Sequence, residues 1–344
     1  MSFECFVFFL LVNLPTAQSF QPLRGPNPAR GLSSSARSSS AGIEMDDPIV
    51  DSLVGGDYAG HSATFSSDDG SLIRVPEHLV PDSLIEWGQV PSCLEVLTSE
   101  DLTLSMLEND GVQGVKLCIE RKVAAVVPEV GCGVDNLDTL RSSESLDLVG
   151  PSAFEAFESS SSGTTTKVLA WESPLSPLRH SPRVKIETVF SLPDQMEPVL
   201  DDEESGAGEQ RSFSRRLRVV FEVLPSATTI SSPITVVLER RTGESTGGTI
   251  GLEGGLDAST VAKLVGKENY NRPFADQKGG GKVIDSDDDS ARNLSLPGNI
   301  IVRYGMENGK FRVDVNLLST SDSSGSNDHE AVVGYTRSFD LGRM

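Results

Sequence analysis

Basic charge is scarce in this chain of 344 residues: 29 Lys and Arg stand against 50 Asp and Glu, a formal net charge of −21. So acidic a chain argues against a nucleic-acid backbone or an anionic membrane as the main partner, because like charges repel. Cysteine is also sparse. Cys5 lies in an apolar leader, and Cys93, Cys118 and Cys132 have neither metal-like spacing nor the even number a disulfide framework needs. Two Trp and four Tyr are few for a carbohydrate-stacking surface, whereas 14 Phe can furnish a core. Catalytic motifs are missing too. His61, His78, His180 and His329 form no HExxH and no close ligand spacing, there is no G-x-S-x-G elbow, and GGGK at 279–282 lacks the spacing and Ser/Thr of a phosphate loop. These absences predict no metal and no cofactor, and a chain that is non-catalytic rather than an enzyme.

Long apolar runs are absent as well. The best one, FECFVFFLLVNL at 3–14, is too short for a typical spanning helix and meets Pro15 at once, so no stable transmembrane segment is expected in the mature chain. Ala17 and Ser19 frame the small-residue arrangement that signal peptidase accepts, which makes 1–19 a signal peptide cleaved before Phe20; a buried N-terminal strand or anchor helix is the alternative. Residues 20–42 carry Arg24, Arg30 and Arg37 with many serines and contain no Asp or Glu. That composition is typical of transit peptides. Together the two segments resemble the bipartite presequence of plastid proteins in algae with complex plastids. The resemblance implies passage through the ER into the plastid, with Ala17, Ser19 and Phe20 as targeting residues. A secreted protein with a basic linker is the competing reading.

The remainder is a succession of β-type runs. GGDYAGHSATF closes at Asp68-Asp69-Gly70, a hairpin turn. GVKLCIERKVAAVV, KVLAWES, PRVKIETVFSL, RRLRVVFEVLP and PITVVLERRT follow, and GNIIVRYGMENGKFRVDVNLL contains an Asn308-Gly309 turn. In its second half Phe311, Val313, Val315 and Leu317 alternate with polar residues, placing one face in a core. LIEWGQVPSCLEVL reads as a further strand, and LTLSMLEND as a short helix capped by Thr98 or Ser99. Repeated helical segments are lacking, so the fold class predicted over 50–342 is all-β: an antiparallel barrel with long disordered inserts near 159–166, 201–212 and 243–297. A β-sandwich, or two small β domains, are the alternatives. The acidic DDEESGAGEQ insert lacks an EF-hand ligand pattern and reads as a solvated loop. Asp257 or Ser259 caps a second short helix in the last insert, and Asn293-Leu294-Ser295 is a glycosylation sequon.

Two features offer chemistry. Cys132 lies between two glycines and is a candidate reactive thiol, with a tight turn or packed thiol as the plainer reading. Trp171, Arg179, His180 and Arg183 gather an aromatic ring and positive charge at one strand mouth. Such a rim receives the polar end of a ligand whose apolar body enters a barrel, or it is a loop held by internal salt bridges. With its opening Gly56, Tyr58 and Gly60 strand, its antiparallel succession and the closing GYTRSFD, the body resembles lipocalin-like proteins of the calycin group. That resemblance implies a β-barrel that binds or delivers a hydrophobic ligand, such as a tetrapyrrole pigment or a lipid, held non-covalently. A plastid assembly or interaction protein, and a chromophore lyase-like enzyme, are the other readings.

Overall fold

The computed structural model describes residues 48–88, 90–109, 112–127, 140–149, 154–161, 164–175, 183–198, 210–243, 282–284, 291–318 and 332–340. Helix is confined, among these, to α1 (Pro48–Leu53), α2 (Asp82–Glu86) and two 3-10 turns. Everything else regular is strand, as the Val-, Ile- and Phe-rich runs bounded by turn residues require.

One antiparallel sheet follows the path β5 (Leu140–Val149), β4 (Val112–Val126), β3 (Cys93–Asn109), β1 (Gly56–Phe65), β11 (Ile234–Gly243), β9 (Gln210–Leu224), β8 (Val184–Pro198), β7 (Thr164–Pro174) and β6 (Phe154–Ser161). The two-residue strands β2 (Leu72–Ile73) and β10 (Thr229–Ile230) pair beside it. Its two edge strands, β5 and β6, are consecutive in the chain, and β5 comes round to approach β7. The sheet is therefore a nearly closed barrel. A second, five-stranded antiparallel sheet comprises β12 (Lys282–Ile284), β13 (Ala291–Leu296), β14 (Ile300–Glu307), β15 (Lys310–Leu318) and β16 (Val332–Phe339).

The alternation of residues along each strand decides what lies between the sheets. Leu217, Val219, Phe221 and Val223 of β9, with Ile186 and Phe190 of β8 and Ile234 and Val236 of β11, form one buried cluster with Val302, Phe311, Val313 and Val315 of the second sheet. The second sheet thus covers the outer wall of the barrel. Burial of apolar surface is worth about 25 cal/mol per Å², so this two-sheet contact is a major hydrophobic contribution to the fold. The turn expected at Asn308-Gly309 is present: both residues have positive φ, 52° and 77°, and Glu307 pairs with Lys310 across it. Phe311, Val313, Val315 and Leu317 are buried as their spacing predicts.

Three local expectations change. The segment expected to be a helix after Thr98 is the continuation of β3, which pairs with β4 without a break from Glu95 opposite Val126 to Asn109 opposite Val112. Leu102, Leu104 and Met106 have a period of two, and the Asp110-Gly111 pair that follows is itself a hairpin signal. Conversely, Leu84–Glu86, expected in a strand, lies in α2 behind Pro81, whose fixed φ suits a helix start. The Ser/Gly/Thr run at 159–166, expected as a flexible insert, contributes the paired ends of β6 and β7, with Ser161 opposite Thr164. The leader, most of the 201–212 and 243–297 inserts and the second short helix lie outside the described residues, although β9 begins at Gln210 and β12 and β13 fall within the last insert.

Gly60 has a steric reason to be glycine. A Cβ there would stand 1.9 Å from the Leu238 carbonyl oxygen and 2.8 Å from the Glu239 Cα, both backbone atoms of β11. Gly60→Ala is expected to lower the unfolding free energy measured in urea by about 2–3 kcal/mol. Gly88→Ala, with a φ of +67° but open space around it, should cost only about 1 kcal/mol.

Candidate functional site: a closed ring of ion pairs inside the barrel

The register fixes which side chains point inward. Arg216 and Arg218 alternate on β9 with Leu217 and Val219, which face the second sheet, so both guanidiniums enter the barrel. Glu239 of β11 lies opposite Arg216, and Glu100 of β3 lies opposite Arg121 of β4. Glu187 of β8 lies opposite Trp171 of β7. All six charged residues are buried.

They close a cycle in which every neighbour has the opposite sign. Arg121 Nε donates to Glu100 Oε1 at 2.6 Å, and Arg216 Nη1 donates to Glu100 Oε2 at 2.6 Å. Arg216 Nε and Arg218 Nε both donate to Glu239 Oε2, at 2.8 and 2.9 Å. Arg218 Nη1 reaches Glu187 Oε1 at 3.2 Å, and Arg121 Nη1 completes the ring at Glu187 Oε2, 3.0 Å away. Three positive and three negative groups leave the ring neutral. Thr98 Oγ1 also donates to Glu239, and Arg216 Nη1 donates to the Leu53 carbonyl at the end of α1. The Tyr58 ring lies 3.4 Å under the Arg216 guanidinium, and Trp171 lies 5.7 Å from that of Arg121. Such contacts suit flat guanidiniums better than they would lysine.

Burial by itself would raise the carboxyl pKa values. Against it, Arg121, Arg218 and Lys185 hold Glu187 down to about 2, and the arginines likewise hold Glu100 and Glu239 well below the ordinary carboxylate range. Arg121 and Arg216 are pushed the other way by the same carboxylates, against the burial penalty. The ring is fully ionised at neutral pH. No member has a proton to exchange there, so the cluster is not a general acid–base pair. Among the described residues no three His, Cys, Asp or Glu side chains gather to hold a metal ion.

The ring divides the barrel into unequal halves. Towards α1 the inward residues Leu117, Ile119, Leu146, Leu148, Leu169 and Val189 are buried, Leu102 and Ala156 are half-buried, and α1 packs against β6, β7 and β8. Away from α1, the same inward face carries Val96, Ala125 and Val237, with half-buried Leu94, Leu140, Val123 and Val220. Lys185 pairs there with Glu144, whose side chain is 34% exposed. This half has apolar walls above the ion ring, and at its end Leu94 packs against the buried cluster Val75, Val80, Leu84 and Val127.

The residues singled out from sequence separate. Trp171 is 1% exposed and lies at the ring, whereas the Arg183 side chain is 57% exposed at the open end, 3.8 Å from Glu222. Arg179, His180 and Cys132 lie outside the described residues, as do Ala17, Ser19 and Phe20. The ring itself escaped sequence reading because an alternating charged face ordinarily marks the solvent side of a strand. Its trace is RRLRVVFEVL, where Arg216 and Arg218 interrupt a strand long and apolar enough for the core.

Fold and site together define a β-barrel-type protein whose interior is charged but charge-balanced. No family model matches the chain, and neither does any curated protein or solved structure. No helix among the described residues is long and apolar enough to cross a membrane.

Two outcomes follow from the charge balance and burial. Arg216→Met and Glu239→Leu should each destabilise the protein by about 3–5 kcal/mol, because each leaves a buried charge short of its partner. The double variant should cost clearly less than the sum in a denaturant-unfolding cycle. The pH dependence has two stages. His61 is buried and its pKa is lowered to about 4 by that burial. The unfolded chain therefore binds a proton from about pH 6.5 downward that the folded chain refuses, and stability falls as pH drops from there towards 4. The ring carboxylates add their loss only below about 4.5, as pH falls towards the value of about 2 at Glu187. His61→Leu should flatten the stability profile between pH 6.5 and 5 and leave the steeper acid limb in place.

Proposed function

We propose that this chain is a non-catalytic binding protein that holds or delivers a hydrophobic molecule in a cup that these apolar walls form above the ion ring. The observation that carries this reading is the partial exposure of the apolar inward face away from α1, where Val123, Val220, Leu94 and Leu140 are half-buried. Apolar walls with a few polar groups at the mouth are the usual make-up of a small-molecule site. Lys185, Glu144 and Arg183 supply those polar groups. A tetrapyrrole or a lipid has the required apolar body, and the leader's resemblance to a bipartite presequence supports a plastid setting. Catalysis such as chromophore attachment receives less support, because the buried titratable groups at the floor are committed to one another.

An interaction or assembly role is the second reading, and one observation favours it. Trp87, at the end of α2, is 61% exposed beside the half-buried Leu79 and Ile85. An exposed tryptophan on an apolar platform is a usual anchor in protein contacts.

Titration with the neutral fluorophore Nile red separates the two. Saturable, blue-shifted binding is expected, weakened at least about tenfold by Val220→Arg, which places a charge in the cup. Val149→Arg, on the outward face of edge strand β5 at a residue 54% exposed, should leave binding unchanged. Absence of saturable binding would remove the ligand reading and leave the Trp87 surface as the functional one.

A further inference from the structure

Most polar groups of the inward face are committed, and the buried atoms there without a hydrogen-bond partner are donors: Arg121 Nη2 and Arg216 Nη2, whose guanidiniums are already ion-paired with carboxylates, and two atoms on β7. Trp171 Nε1 and Ser173 Oγ are buried atoms with no hydrogen-bond partner. They belong to residues two apart on β7, so both lie on the inward face, with Trp171 at the ring and Ser173 one step nearer the open end, opposite Lys185. Glu187, the cross-strand neighbour of Trp171, accepts instead from Arg121 and Arg218. A buried donor left without an acceptor costs about 1–3 kcal/mol, so a pair of them side by side calls for an acceptor from outside the chain.

The charge around them restricts what that acceptor is. Each guanidinium of the ring already faces two carboxylates, so no unmatched positive charge awaits an anion. Further out, Lys185 is matched by Glu144 and Arg183 by Glu222. A carboxylate or phosphate entering the cup would lose its hydration and gain no free cation. A neutral carbonyl loses little on entry and accepts both N–H and O–H. We propose that the cup selects uncharged ligands that carry an ester, ketone or amide oxygen, which accepts hydrogen bonds from Trp171 Nε1–H and Ser173 Oγ–H, and that it discriminates against the corresponding free acids. This rests on the ligand-binding reading above and narrows it to a chemical class.

The chain has two tryptophans, so Trp87→Phe in the full chain leaves Trp171 as its sole indole reporter. The test titrates this variant with a pyrene-labelled fatty acid and with its methyl ester at pH 8, following energy transfer from Trp171 to pyrene. The ester is expected to bind at least about tenfold more tightly than the acid, and Ser173→Ala to weaken the ester by about fivefold while leaving the acid unchanged. Trp171→Phe, followed by pyrene emission, should weaken the ester similarly; Ser173→Ala, a small change at a half-buried position, keeps the test decisive where that larger change prevents folding. Equal or tighter binding of the acid, or an ester affinity indifferent to Ser173→Ala, overturns the proposal and assigns the two donors to bound water. Saturable Nile red binding together with no ester preference defeats this inference alone, whereas loss of all three probes defeats the ligand-binding reading beneath it.

Discussion

The closed ring of three arginines and three glutamates is the constraint on which the barrel depends. Its members come from β3, β4, β8, β9 and β11, and one of its bonds joins residues 116 apart in the chain. No subset of those strands completes the cycle. Partial assembly would leave charges buried without partners, at a cost of several kcal/mol each, so the ring favours the fully curled sheet over flatter pairings. It also fixes register. A one-residue slip of β9 would turn Arg216 and Arg218 towards the second sheet and Leu217 and Val219 into the ring.

Neutrality inside has a consequence for the outside. Since the ring sums to zero, the net charge of −21 belongs wholly to the rest of the chain. Among the described residues the interior is thereby distinct in character from the rest of an acidic chain: an apolar wall and a floor of matched charges. The second sheet completes the arrangement by burying the outer wall at β7, β8, β9 and β11, where apolar residues dominate and Glu172 is held by Tyr335 and Arg337. In β1 the same geometry demands a glycine, because β11 crosses at Gly60 too closely for any side chain.

Strand-forming character was legible throughout, and so was the hairpin at Asn308-Gly309, because β-branched runs and φ-positive turn residues act locally. The alternation of β15 likewise named its buried face correctly. Where the reading failed, a second strand decided the matter. The stretch from Leu102 to Asn109 has enough leucine to suggest a helix, but β4 supplies a continuous partner. Ser161 and Thr164 belong to a polar run with no apolar signal at all, and become strand ends only because β6 and β7 already pair at Phe154 and Trp171.

The site was legible only in fragments. Trp171 was picked out for its company with Arg179, His180 and Arg183, yet its inward neighbour is Arg121, fifty residues earlier in the chain. From sequence alone, Glu100, Arg121, Glu187, Arg216, Arg218 and Glu239 are unremarkable surface charges on alternating strands. By itself the sequence determined the all-β class, several of the strands and the overall acidity, since these depend on neighbours within a few residues and on composition. Only the tertiary structure decided that six charges face inward and satisfy one another, because a strand's two faces are equivalent until a second sheet covers one of them.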